Sequence, residues 1–271
     1  MITFPNCKIN LGLHITGKRH DGYHDLETVF FPVPLHDGLE IIQHANQNPI
    51  ELTVTGLPIE GSVQTNICYK AYQLLKNDFP TLPSIKMHLH KHIPTGAGLG
   101  GGSADGAFTL QLLNKKFNLG LQEEQLIDYA LQLGSDCPFF IKNIPVYATG
   151  RGEIMEPVQL DLSDYKIVLI NPGIHVNTGW AFSQLSLVTR NEPLKNIIAL
   201  PVTEWKHVLH NDFEIPVFQQ YPTIKDLKEK LYEAGAIYAA MTGSGSTVFG
   251  LFERTFTVQM NMPGNYFMKT L

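Results

Sequence analysis

The chain has 271 residues, 44% hydrophobic and 17% charged, an ordinary globular balance that suits one large domain or two modest ones. A formal net charge of −5 gives no electrostatic case for nucleic acid or an anionic membrane as partner. No apolar run reaches the ~18 residues of a membrane span, and Cys7, Cys68 and Cys137 are too few and too scattered for a disulfide framework or a metal spacing.

Residues 1–5 carry neither the basic start nor the apolar run of a secretory signal, so the expectation is a cytoplasmic protein with reduced cysteines. Residues 7–15 alternate strictly. Cys7, Ile9, Leu11, Leu13 and Ile15 share one face of a strand, and Lys8, Asn10, Gly12 and His14 share the other. The first face is core; the second reads as a solvated sheet face. Residues 18–22 form a turn centred on Asp21-Gly22, and residues 23–31 a second strand that opens with Tyr23 and His24. Residues 39–44 and 50–55 read as strands joined by a polar turn at 45–49. Asn66 caps a helix that runs to about residue 76. Ile85, Met87 and Leu89 then alternate with Lys86, His88 and His90, the half-exposed pattern of an antiparallel strand.

The next stretch is Pro94-Thr95-Gly96-Ala97-Gly98-Leu99-Gly100-Gly101-Gly102-Ser103-Ala104. Six of the eleven residues from Gly96 to Gly106 are glycine. Such density costs backbone entropy, and it lets successive N–H groups converge on one point, which suits phosphate. A helix is expected over 103–115, with Ser103 as its cap, so the anion would sit at a helix N-terminus. No Gly-Lys-Ser/Thr closes the loop, which excludes a Walker A site. The half-exposed strand before it argues against a Rossmann fingerprint, and the protein-kinase motifs are absent.

A helix over 121–133 ends at Gly134. Asp136 follows, held between that stop and Pro138 beside Phe139 and Phe140, where an Asx-turn or capping role is the plain alternative to chemistry. Residues 145–149 and 153–158 form a hairpin around Gly150-Arg151-Gly152. Residues 161–165 are a candidate boundary. A strand at 167–170, a loop and helix over 176–186, a helix over 223–233 and strands at 237–241 and 248–252 complete the chain. The last two flank a second Gly/Ser loop, 242–247, which could touch phosphate, close on the first loop, or be a plain hairpin. Antiparallel-type strands with interspersed helices in two parts make the fold class α+β.

Several of these pieces together resemble the GHMP small-molecule kinases, the superfamily of galactokinase, homoserine kinase and mevalonate kinase. They are Lys8-Ile9-Asn10-Leu11, Asp21-Gly22-Tyr23-His24, Gly98 to Ser103, Gly134-Ser135-Asp136-Cys137-Pro138-Phe139-Phe140, Gly150-Arg151-Gly152-Glu153, and the loop at 242–247. Within the superfamily they resemble most the branch that phosphorylates a cytidyl-diphosphate-linked methylerythritol on the non-mevalonate route to isoprenoid precursors. The departures are Ala104 in place of a second serine, Cys137 in place of a frequent valine, and a looser match after Gly173.

The resemblance implies an ATP- and Mg²⁺-dependent phosphotransferase acting on a tertiary alcohol. It implies an N-terminal ribosomal-protein-S5-like domain over 1–160 and a C-terminal ferredoxin-like domain over 161–271, with the active site in the cleft between them. Lys8 and Asp136 would be the catalytic pair. Pro94, Thr95, Gly96, Ala97, Gly98, Leu99, Gly100, Gly101, Gly102, Ser103 and Ala104 would hold ATP, with Asn66 on the adenine side and Ser103 a candidate near Mg²⁺. Tyr23 would stack on cytosine, His24 would bond its edge, Phe182 would supply the opposite stacking face, and Asn10 and Thr178 would add contacts. Two alternatives stay open: a mevalonate-type or sugar kinase, and a nucleotide-binding module without catalysis. The sequence also leaves open the metal ligands and the oligomeric state, a homodimer included.

Overall fold

The computed structural model describes residues 1–45, 48–188, 190 and 192–271. The first strands are β1 (Ile2–Thr3), β2 (Asn6–Lys18), β3 (His24–His36), β4 (Gly38–Gln43) and β5 (Ile50–Gly56). A 3₁₀ turn at Val63–Thr65 leads into α1 (Ile67–Asp78), β6 (Ile85–Lys91), α2 (Gly101–Phe117), α3 (Glu123–Leu133), α4 (Cys137–Lys142), β7 (Val146–Thr149) and β8 (Ile154–Pro157). Then come β9 (Tyr165–Asn171), α5 (Thr178–Ser183), α6 (Leu194–Ile197), α7 (Val202–Val208), α8 (Glu214–Gln220) and α9 (Pro222–Glu233). The last strands are β10 (Tyr238–Met241), β11 (Val248–Glu253) and β12 (Phe267–Thr270).

The chain forms two compact units that interleave in sequence. One comprises Met1–Cys7, Pro34–Thr95 and Gly100–Ile144; the other comprises Lys8–Val33, Gly96–Leu99 and Pro145–Leu271.

The first unit holds a mixed sheet in the order β1-β4-β6-β5. β4 and β5, consecutive in the chain, do not pair with each other. β6 lies between them, antiparallel to β4 and parallel to β5. The parallel pair follows from α1, which gives the chain the length to cross back over the sheet. The turn expected at 45–49 includes residues 46 and 47, which lie outside the described residues. β6 buries Ile85, Met87 and Leu89 and exposes Lys86, His88 and His90, as its alternation demands. α1 is capped by Asn66, whose side chain accepts from Cys68 N at 2.9 Å. α3 starts at Glu123, with Gln122 and Gln125 forming a capping box, and ends at Gly134.

The second unit contains an antiparallel sheet in the order β10-β11-β9-β12. The amphipathic α9 packs on it through Ile224, Leu227 and Leu231. Most of β2 and β3 joins β7 and β8 in another sheet, order β2-β3-β7-β8. Leu13, Ile15 and Leu26 from that sheet share a core cluster with Val168, Ile170, Val248 and Phe252.

Candidate active site

The glycine segment departs from its expected form at the helix start. α2 begins at Gly101, with Gly100 as N-cap in the left-handed region (φ 69°, ψ 13°), not at Ser103. Glycine adopts that conformation at little cost, so the chain can turn into the helix two residues early. Ser103, half-buried, sits inside the first turn of the helix and does not cap it. Gly102 is exposed, and a Cβ there would meet nothing within 4 Å.

In the second unit, Gly96–Leu99 packs against the other Gly/Ser loop. A Cβ on Gly98 would stand 2.0 Å from the Thr242 carbonyl oxygen, so only glycine fits there. Thr242 Oγ1 donates to Gly98 O at 3.0 Å, and Thr247 N donates to Ala97 O at 3.2 Å. The loop at 242–247 therefore closes on the first glycine segment, one of the three roles the sequence allowed. Ala97 and Leu99 are buried, while Thr95 and Gly96 are exposed.

The face of β2 that read as solvated is buried. Lys8 is 4% exposed, Asn10 2% and His14 1%. Lys8 N donates to Leu99 O at 2.9 Å, which ties the strand to the glycine segment. Lys8 Nζ donates to Asn10 Oδ1 at 2.5 Å and lies 4.9 Å from the centre of the Phe30 ring. Asn10 is held on every side: Nδ2 donates to Thr28 Oγ1 at 2.9 Å, its backbone N donates to Thr242 Oγ1 at 3.0 Å, and that hydroxyl also lies 3.2 Å from Oδ1. A buried ammonium on a strand so fixed has little freedom of position, which suits a charge meant to act at one point.

Asp136 is half-buried at the N-cap of α4 and makes no side-chain capping bond. The residues after it, Cys137, Pro138, Phe139 and Phe140, are all buried, so its backbone is anchored by packing. Burial pushes the Cys137 thiol up to about 12, against the pull of Ser103, so the cysteine stays neutral. Ala104 is fully buried and supplies no hydroxyl, as its departure from the family pattern implies.

Tyr23 is 55% exposed, with the Arg151 guanidinium 4.5 Å from its ring centre. Phe182 stacks on His24, with centroids 5.1 Å apart. Thr178 is exposed and shares a 3.0 Å hydrogen bond with Ser244 of the second loop. Asn66, besides capping α1, lines a cavity of about 310 Å³ with Leu52, Val54, Leu57, Pro58 and Val63 in the first unit.

Sequence reasoning missed two polar clusters. In the first unit, Lys91 lies buried between Asp37 and Asp105. The signal was present: Lys91 falls in the inward register of β6, after Ile85, Met87 and Leu89. In the second unit, Glu27 accepts from Tyr147 at 2.6 Å and lies 3.3 Å from His14 Nδ1. Burial alone would raise the Glu27 carboxyl, but the bonds from His14 and Tyr147 outweigh it and hold it below its usual range. Among the described residues no group of three or more His, Cys, Asp and Glu could hold a metal ion, and no helix is long and apolar enough to cross a membrane.

The family model for the GHMP kinases N terminal domain matches residues 66–143, and that for the GHMP kinases C terminal matches residues 195–259. A 4-diphosphocytidyl-2-C-methyl-D-erythritol kinase of Bacteroides fragilis is 57% identical over 253 residues, covering 93% of this chain and 92% of that one. The chain belongs to the GHMP kinases. A kinase of the same name from Prosthecochloris aestuarii is 40% identical, covering 91% of this chain and 87% of its own. Among solved GHMP kinases, a crystal structure of 4-(cytidine 5'-diphospho)-2C-methyl-D-erythritol kinase superposes with a TM-score of 0.81 at 29% identity, covering 93% and 90% of the two chains. L. major mevalonate kinase, in complex with R-mevalonate, gives a TM-score of 0.68 at 14% identity over 94% and 88%, a likeness of fold. The two-domain α+β GHMP kinase fold expected from the motifs is the fold this chain has.

Proposed function

We propose that this GHMP kinase transfers the γ-phosphoryl group of ATP to the tertiary 2-hydroxyl of 4-diphosphocytidyl-2-C-methyl-D-erythritol. The observation that carries this reading is the 57% identity, over 93% of the chain, to a relative of that name. The modules are taken as 1–160 for the N-terminal ATP-binding part and 161–271 for the C-terminal part, and the setting as the cytoplasm, where the three buried cysteines, none in a disulfide, stay reduced.

The acceptor alcohol ionises far above neutral pH, so it needs help to attack. Asp136 takes or orients its proton, and Lys8 stabilises the negative charge that develops. Phosphoryl transfer has a loose transition state, and fixed charge and position supply most of the rate. The burial of Lys8 and the bonds that fix Asn10 support that role. The backbone N–H groups of the segment from Pro94 to Ala104 cradle the phosphates. The open space over Gly102 supports this, since no side chain there competes with a ligand. Adenine goes to the cavity beside Asn66. Ser103 would offer one oxygen to a Mg²⁺ bound with the nucleotide, which would supply neutralisation of phosphate charge and would be held mainly by phosphates and water.

Tyr23, with one ring face under Arg151, offers its other face to cytosine, and His24 bonds the base edge, backed by Phe182. Thr178 and Asn10 complete the acceptor contacts. The test is steady-state kinetics with an acceptor panel. The reading expects turnover with the cytidyl acceptor and none with mevalonate, homoserine or galactose. Equal turnover of a base-free acceptor would contradict it.

A further inference from the structure

β6 ends at Lys91, and α2 begins at Gly101. Between them runs the seven-residue stretch 94–100, whose Gly96, Gly98 and Gly100 all have φ between 65° and 77°. A backbone of that kind holds a phosphate-binding shape only if its ends are fixed, because glycine leaves many conformers open.

Both ends are fixed by one buried cluster. Asp37 Oδ1 accepts from His92 N at 2.5 Å and from Ile93 N at 2.9 Å, at the entrance to the stretch. Asp37 Oδ2 accepts from Lys91 Nζ, which also donates to Asp105 Oδ2 at 2.7 Å, early in α2. Lys91 is 2% exposed and both carboxylates 1%. The strand end and helix start approach closely: a Cβ on Gly101 would meet Ile93 Cγ2 at 2.7 Å and Lys91 Nζ at 3.5 Å.

Stability is a poor reason for such a cluster. Burying three ionisable groups costs desolvation, and well-packed apolar side chains commonly do as well or better. Asp105 Oδ1 is buried with no hydrogen-bond partner, which adds to the cost. What an apolar cluster would not supply is a directed tie between two backbones.

We infer that Lys91, with Asp37 and Asp105, is a positioning residue for the nucleotide: it clamps the two ends of the glycine stretch so that the N–H groups between them stay aimed at the phosphates. The inference rests on the proposed ATP site. It is independent of the acceptor.

The test is the double variant Lys91→Met/Asp105→Leu, which removes one positive and one negative charge and leaves Asp37 with its two backbone donors. Thermal melting reports the fold, calorimetry with ATP reports the nucleotide site, and KM for the acceptor reports the other substrate. A loosened cradle weakens ATP by roughly 10- to 100-fold, the scale of a small misplacement, with the melting temperature and acceptor KM kept. A folded variant that binds ATP as the wild type does, or that loses ATP and acceptor affinity equally, overturns the clamp. If the double variant does not fold, Asp105→Asn is read the same way: it keeps shape and one acceptor atom, and a selective loss of ATP affinity supports the clamp while an unchanged or unselective result overturns it. ATP calorimetry needs no acceptor, so a wrong acceptor assignment appears separately, as a wild type that binds ATP and does not phosphorylate the cytidyl compound.

Discussion

The imidazole of His24 lies flat on the ring of Phe182, centroids 5.1 Å apart and planes 19° apart. Phe182 in turn meets Phe213 edge-on at 4.9 Å, so the stack is braced by the core of the second unit. His24 is thereby held in one orientation before any base arrives. Phe182→Ala should lower kcat/KM for the cytidyl acceptor, because His24 loses the ring that holds its orientation, and leave KM for ATP unchanged. An effect confined to ATP would remove Phe182 from the acceptor site.

The glycines of the loop separate by what a side chain would meet. Gly98→Ala puts a Cβ 2.0 Å from the Thr242 carbonyl and should disrupt folding, read as a lowered melting temperature. Gly102→Val points into open space. It should keep the melting temperature and raise KM for ATP, because the new side chain stands where phosphate is proposed to lie. Wild-type ATP kinetics in Gly102→Val would contradict the cradle.

Much of this arrangement is legible in the chain, and the gaps have physical causes. The alternation of residues 7–15 shows that Lys8 and Asn10 share a face. It cannot show that the face is buried, because the cover includes Thr242, 232 positions further on. The glycine density locates the loop, but the helix start depends on Gly100 turning left-handed, which no propensity scale marks against Ser103. The inward register of β6 points at Lys91, whereas its partners Asp37 and Asp105 lie on other elements and their convergence is tertiary. Tyr23 and Phe182 can be picked out of the chain, but their neighbours are tertiary: Phe182 lies on His24 and the Arg151 guanidinium lies over Tyr23.

Asp105 makes stability depend on pH. Burial raises its carboxyl from 3.8 to about 7, opposed by Lys91 and reinforced by Asp37. The groups that face it are Lys91 from β6, Asp37 from the β3–β4 link and Cys68 from α1. The folded chain keeps a proton that the unfolded chain has released, so this contribution is present below pH 3.8 and is lost as pH rises through about 7. Asn is neutral throughout. The melting temperature of Asp105→Asn, relative to wild type, should therefore climb across that window, and a constant difference would contradict the assignment.

Asp136 carries the proposed proton transfer. Asp136→Asn keeps the shape and one acceptor atom but takes no proton. Single-turnover transfer should fall by about 10²–10⁴, the usual worth of a general base, with both substrates still bound by calorimetry. Near-normal turnover would leave Asp136 as a structural residue at the start of α4. Lys8→Met should also slow transfer, and the double variant should lose less than the product of the two losses, as groups acting together do.

The most direct test is the phosphorus spectrum of the product formed from ATP and 4-diphosphocytidyl-2-C-methyl-D-erythritol. The 2-carbon is tertiary and bears no hydrogen. Transfer to its oxygen gives a new phosphomonoester resonance with no splitting from a carbinol proton, beside an intact diphosphate. A monoester split by one or two carbinol protons would place the phosphate on a secondary or primary hydroxyl and contradict the account, as would ADP released without any new monoester.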